Sequence, residues 1–280
     1  VDTADLHLHS DRSDGVWPAA RVVHAAKTAG LRAIALTDHD TLAGVRTARD
    51  EGERCGVEVL SGVEVSTWDG ADRHVLGYGF DPDDPALTDL FERARSARLS
   101  RAAAIVEKLA ALGKPIPLDS VLAEAGEGAV GRPHVARAML RAGHVGSFRE
   151  AFDVYLGDGK PAWAEKLRVA PADAVRLLHA AGGVAVAAHP GCYGGPEAVD
   201  ALLDCGLDGV EAWHSLHDPE MTRRLEEYAA EHDLLVTGGS DFHGPGPGAG
   251  VGSVRVPYAR VEELRERVDD RRAARRGGTS

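Results

Sequence analysis

The 280-residue chain carries 44 acidic against 32 basic side chains, a formal net charge of −12, and 44% hydrophobic residues. That balance lacks the basic footprint a duplex-DNA or membrane-surface binder needs, and no apolar run approaches the roughly 18–20 residues of a membrane span. Three scattered cysteines, Cys55, Cys192 and Cys205, make neither a disulfide framework nor a thiolate cage. With no basic, apolar leader at its start, the chain reads as a cytoplasmic protein, monomeric by default.

Short apolar runs alternate with longer amphipathic ones, the pattern of a βα repeat. Residues 5–9 read as a first strand and 18–29 as a helix, with Pro18 in its first turn and Gly30 closing it. Strand 33–37 and helix 41–54 follow, then a Val-rich strand or strand pair at 57–65 and a strand at 74–80. Between about 97 and 166 the alternation stops and the pattern is helical only, with breaks at 113–117 and 126–131. Strands resume at 184–188, 209–213 and 234–237, separated by helices near 196–205 and 218–232. Segment 252–257 could add an edge strand and 260–275 a closing helix, while the Arg- and Gly-rich end, 271–280, is expected to fray. The expectation is an α/β parallel barrel of about seven strands, one short of the common eight. Residues 1–96 and 167–280 would form it, with 97–166 as a helical insertion over its mouth.

Histidines and acids gather at the strand ends. In Asp5-Leu6-His7-Leu8-His9, strand alternation puts His7 and His9 on one face and Leu6 and Leu8 on the other, so two imidazoles can meet one divalent ion. Asp14 lies just beyond, in a polar loop. The run Ala35-Leu36-Thr37 feeds directly into Asp38 and His39, where the C-terminal mouth of a parallel sheet lies. Glu64 interrupts an apolar strand, and a buried carboxylate there needs a cation or several donors. His74 begins a strand, His189 ends one, and Asp241 and His243 stand two apart between glycines. Each alone reads equally as a satisfied polar residue at a strand end. Together they deliver imidazole and carboxylate, without thiolate, to one mouth, which favours Mn, Fe or Zn in a multinuclear hydrolytic site.

In this order, residues 5–9, 37–40, 62–64, 189–191 and 239–243 resemble the Polymerase and Histidinol Phosphatase (PHP) family of metal-dependent phosphoesterases. The segments Gly131-Arg132-Pro133-His134, 213–217 and 238–243 are similar to its branch of nucleoside 3′,5′-bisphosphate phosphatases and 5′-to-3′ exoribonucleases. The resemblance implies a distorted seven-stranded (β/α) barrel with two or three divalent ions, Mn first, Fe or Zn as alternatives. One ion would take His7, His9, Glu64 and Asp241. A second would share Glu64 and add His74 and His189; a third would take Asp14, His39 and His243. Glu64, His189 and Asp241 would carry catalysis by metal-activated hydroxide. Arg132, His134 and His217, with His214 as an alternative, would contact the phosphate of a nucleotide or a short 5′-phosphorylated RNA. An amidohydrolase-type metal hydrolase and a non-catalytic nucleotide- or RNA-binding module remain the alternatives at this point. His179 is expected to be an ordinary interhelical residue, and Cys192, three residues after His189, a turn residue.

Overall fold

The computed structural model describes residues 2–165, 167–246 and 250–277. Its strands are β1 (Thr3–Leu8), β2 (Ala33–Leu36), β3 (Glu58–Trp68), β4 (Asp72–Tyr78), β5 (Val184–Ala187), β6 (Gly209–His214), β7 (Leu235–Gly239) and β8 (Val256–Pro257). They form one sheet in the order β7-β6-β5-β4-β3-β2-β1-β8. The chain just past β7 returns to β1, with the Asp241 N–H donating to His7 O at 2.9 Å and the His9 N–H to Phe242 O at 3.0 Å, so the sheet nearly closes into a barrel.

Two expectations are corrected. The described residues hold eight strands, not seven, because the two-residue β8, inside the segment 252–257 that the sequence offers as an optional edge strand, pairs antiparallel with β1. The sheet is also not parallel throughout: β4 runs antiparallel to both β3 and β5. A tight connection from Trp68 to Asp72 replaces a crossover helix there, since antiparallel neighbours need only a hairpin.

The helices are α1 (Ala19–Thr28), α2 (Val45–Cys55), α3 (Pro85–Ala111), α4 (Leu118–Ala125), α5 (Arg132–Arg141), α6 (Phe148–Glu150), α7 (Pro171–Ala180), α8 (Pro196–Leu203), α9 (Pro219–Glu231) and α10 (Ala259–Gly277). The outward residues of the strands split between two layers. Ile34 and Leu36 pack on α1 and α2, and Val63, Val75, Ala187 and Val210 on α3, α7, α8 and α9. Inward residues such as Ala35, Leu76, Tyr78 and Val186 pack with Val261, Leu264 and Val268 of α10, which plugs the end away from the mouth. Among the described residues no helix is long and apolar enough to cross a membrane.

The long helix α3 starts cleanly because the Asp84 carboxylate accepts from the N–H groups of Ala86 and Leu87 and Pro85 takes its first turn. Its first half packs on the barrel through Leu87, Leu90 and Phe91. Its second half joins Ile105 and Leu109 to a separate apolar cluster with Val121, Val135, Met139 and Leu156.

Close strand approach depends on two glycines. A Cβ on Gly239 would lie 2.3 Å from His7 N, and one on Gly62 would lie 2.6 Å from Leu36 O. Either side chain would push apart the strands that carry the mouth.

At the opposite end Asp208 is buried and accepts from Ala185 N–H at 2.8 Å, from His179 Nε2 at 2.7 Å and from Arg271 of α10. His179 is thus tied into the plug. Burial would raise the Asp208 pKa, but these donors and the Arg271 charge hold it below the ordinary carboxylate value. Such a carboxylate stabilises the fold above its unfolded pKa, and that contribution disappears as pH falls through its native value. Asp208→Ala is expected to cost about 3–5 kcal/mol at neutral pH, with the gap to wild type shrinking below about pH 4. Denaturant unfolding across pH checks this; a constant gap would deny Asp208 its charged role.

Candidate metal centre

The mouth is lined by the ends of β1, β2, β5 and β7 and by inward residues of β3 and β4. In β1 the register slips between Asp5 and Leu8, a bulge that turns part of the strand. Leu6 therefore packs inside with Leu76 and Leu264, while Leu8 packs outside on α1, so the two leucines do not share a face as simple alternation predicts. His7 and His9 do converge, with their Nε2 atoms 3.1 Å apart. The residues after the other strands are held in unusual backbone. Asp40, His189 and Asp241 have φ of 51°, 33° and 51°, a left-handed conformation that costs energy for a residue with a Cβ and tends to mark functional turns.

Glu64, 1% exposed, stands at the centre. Its Oε2 is 3.1 Å from His7 Nε2, 3.2 Å from His9 Nε2 and 3.2 Å from His39 Nδ1. Its Oε1 is 2.6 Å from His74 Nδ1 and 3.0 Å from His189 Nε2. Asp241 Oδ1 closes the first group, 3.3 Å from His7 Nε2 and 3.1 Å from His9 Nε2. Asp14 Oδ1 lies 3.1 Å from His243 Nε2, and its Oδ2 lies 3.9 Å from His39 Nε2. The geometry therefore brings all nine candidate ligands together, in sets that differ in detail from the expected partition. His7, His9, Glu64 and Asp241 form one; His39 joins Glu64 and His74 in another; His9 joins Asp14, His39 and His243 in a third.

The electrostatics are those of a cation trap. Burial would raise Glu64 and Asp241, but the surrounding imidazoles hold both well below the usual carboxylate range. Burial would depress His9, yet hydrogen bonds and charge from Asp241 and Glu64 push it up to about 10. His39 goes the other way, down to about 3, because its burial outweighs the nearby carboxylates. Two buried atoms sit at these short distances without hydrogen-bond geometry, His39 Nδ1 and Asp14 Oδ1. Contact distance without a hydrogen bond, from imidazole and carboxylate only, is what a divalent cation would use. The residues present fit two or three such ions.

Behind these donors stands Glu211, which sequence reading missed. Fully buried in β6, it accepts from His7 Nδ1 at 2.9 Å and from His189 N–H at 2.7 Å. The bond to Nδ1 leaves His7 Nε2 with the lone pair, the orienting role of a carboxylate behind a metal-binding histidine. Its signal was available: like Glu64, it is a lone acid in an apolar strand. Asp38 does similar service for the loop, accepting from Ser10 N–H at 2.7 Å and Ser13 Oγ at 2.6 Å.

Above the mouth, α3 and α5 bring arginines. Arg98 binds Asp40, next to His39, with its Nε at 3.1 Å from Oδ2. Arg137 donates to the carbonyl of Asp14 at 2.7 Å. Arg101 donates its Nε to Ala164 O at 2.9 Å and has no carboxylate at ion-pair distance among the described residues. Burial and the charges of Arg132 and Arg98 push it down to about 10. Arg132 holds Asp158 Oδ1 at 2.5 Å. Arg98, Arg101 and Arg132 line one cavity with Asp14, His39 and His74, walled by Phe152, Leu167 and Val169.

The other expected contacts are placed as follows. His134 is buried, accepts the Gly131 N–H on Nδ1 at 2.9 Å and is pushed down to about 4 by burial and the Arg137 charge. His214 and His217 stand at the end of β6 and in the loop beyond it, His214 Nε2 lying 3.3 Å from Asp241 Oδ2.

A model of the PHP domain matches residues 5–115. The chain is 38% identical over 247 residues to a 5′-3′ exoribonuclease of Haemophilus influenzae, covering 86% of this chain and 90% of that one. It is 35% identical over 251 residues to a 3′,5′-nucleoside bisphosphate phosphatase of Chromobacterium violaceum, covering 87% and 88%. A crystal structure from Bifidobacterium adolescentis, described among the metal-dependent phosphoesterases, superposes with a TM-score of 0.85 at 35% identity over 93% of this chain and 94% of that one.

Glu211→Gln keeps the volume and removes the charge behind His7. It is expected to weaken retention of divalent ions about 10–100-fold while thermal unfolding of the metal-free protein changes little. Equilibrium dialysis with elemental analysis measures it, and unchanged retention would reduce Glu211 to a filler of the core.

Proposed function

The chain belongs to the PHP family of metal-dependent phosphoesterases, and we propose that it hydrolyses the phosphate ester of a nucleotide, a nucleoside 3′,5′-bisphosphate or a short 5′-phosphorylated RNA. The observation that carries this substrate reading is Arg101, a guanidinium facing the cavity beside the metal centre with no carboxylate at ion-pair distance among the described residues. Arg101, pushed down by burial and by the charges of Arg132 and Arg98, is stabilised by an incoming anion, and guanidinium matches phosphate through paired N–H donors.

We read the ligand sets as His7, His9, Glu64 and Asp241; Glu64 with His74, His189 and His39; and Asp14, His39 and His243 with His9. Manganese suits such imidazole and carboxylate donors, with iron and zinc as alternatives. Bound there, divalent ions supply positive charge for the phosphate oxygens and acidify water near neutral pH. The chain's own residues do the rest. Glu64 and Asp241 fix the imidazoles, and Glu211 sets the tautomer of His7. Arg101 and Arg132 hold a second anionic group of the substrate, while Phe152, Leu167 and Val169 offer an apolar wall to its sugar and base. His214 and His217 face the same substrate from the loop after β6. Residues 97–166 act as the unit that carries the arginines over the mouth, a reading supported by their own apolar cluster around Ile105, Leu109 and Met139.

The test is phosphate release by manganese-loaded protein from AMP, adenosine 3′,5′-bisphosphate and a 5′-phosphorylated RNA pentamer. The bisphosphate or the RNA is expected to turn over with the lower KM. Arg101→Ala should raise that KM about tenfold or more, the worth of a charged hydrogen bond, and leave a small aryl phosphate nearly unaffected. Equal effects on both substrates would remove Arg101 from substrate binding.

A further inference from the structure

The turn after β5 and the loop after β6 put a thiol among imidazoles, beside the centre but outside its donor sets. Cys192 is free and exposed, at the end of the short 3₁₀ turn Pro190–Cys192. The nearby rings of His189, His214 and His217 favour its thiolate. One ligand atom each from Cys192, His214 and His217 lies within 4.8 Å of the other two.

His217 is already oriented as a ligand. Its Nδ1 is 2.9 Å from the carbonyl of Ala212, which can only accept, so Nδ1 carries the proton and Nε2 the lone pair. A ring held this way by a backbone carbonyl is the usual support behind a metal-binding histidine. The lone pair accepts the Gly191 N–H, at 3.1 Å. His214 is buried; its Nδ1 takes the Leu216 N–H at 3.2 Å, and its Nε2 is without a hydrogen bond.

We propose that Cys192, His214 and His217 form a separate site for a soft divalent cation such as Zn²⁺ or Cd²⁺, and that filling it inhibits the enzyme. The donor chemistry separates it from the main centre. One thiolate and two imidazoles prefer soft or borderline ions, whereas the nitrogen and oxygen donors around Glu64 suit Mn²⁺. Three protein ligands leave a fourth position to solvent, which the exposed thiol provides. On binding, the Cys192 thiol forms an S–metal bond and releases its proton to solvent, while His214, whose Nδ1 accepts from Leu216 so that its proton sits on Nε2, moves that proton to Nδ1 and gives up the Leu216 bond. Coordination through His214 Nε2 would turn that ring from Asp241, 3.3 Å away, and would occupy His217. The inhibitory half rests on reading His214 and His217 as substrate contacts; the binding half does not.

The experiment titrates manganese-loaded protein with Cd²⁺, following the ultraviolet charge-transfer absorption of a thiolate bound to cadmium. In parallel, Zn²⁺ is added during hydrolysis of a small aryl phosphate. Wild type is expected to develop the absorption to one equivalent and to lose turnover as Zn²⁺ fills the site. Cys192→Ser keeps Cys55, Cys205 and basal turnover, loses the absorption, and requires at least ~10-fold more Zn²⁺ for equal inhibition. Absorption that survives in Cys192→Ser places the thiolate elsewhere and overturns the site. Equal Zn²⁺ inhibition of both proteins overturns the regulatory half. The cadmium reading holds whatever ester the enzyme prefers, so failure of the substrate proposal would be seen separately.

Discussion

Glu64 places one carboxylate, with almost no contact with water, against five imidazoles that come from four strands of the sheet and their ends, β1, β2, β4 and β5. A buried charge of this kind persists only where opposite charge or donors surround it. Everything else at the mouth serves that requirement. The bulge in β1 turns His7 and His9 together, and left-handed residues at the ends of β2 and β5 aim His39 and His189. The glycines at 62 and 239 let the strands come close enough for the distances to be met. The strain in these turns is repaid by the packing of the strands beneath them.

The same arrangement reconciles an acidic chain with an anionic substrate. The carboxylates of the mouth, Asp14, Glu64 and Asp241, stand where bound divalent ions would neutralise them, while the arginines come from above on α3 and α5. These helices are not loosely attached. α3 is shared by two apolar clusters, Arg98 is bound to Asp40 beside His39, and Arg137 holds the backbone of Asp14. The helices that carry the arginines and the loops that carry the candidate ligands are therefore tied together around one cavity.

Much of this was visible in the sequence because its signals are local. His7 and His9 share a strand face through a two-residue spacing. Glu64 announces itself as an acid inside an apolar run, and His39, His189 and Asp241 follow apolar strands directly. Glu211 has the same signature as Glu64 and stands three residues before His214, so its signal is just as local. Arg98 and Arg101, by contrast, were hidden. Between Arg93 and Arg101 α3 carries four arginines, and helical periodicity cannot say which of them face a cavity formed by other elements.

The sequence by itself determined the alternation of strands and helices, the family, and the residue types at the mouth, since each depends on spacing along one strand or on order along the chain. Only the tertiary structure settles that β4 runs antiparallel and that Leu6 and Leu8 part company at a bulge. It also settles which carboxylate oxygen faces which imidazole, and that Arg101 has no carboxylate at ion-pair distance among the described residues. Those are outcomes of register and packing between segments far apart in the chain, set by contacts that no local pattern records.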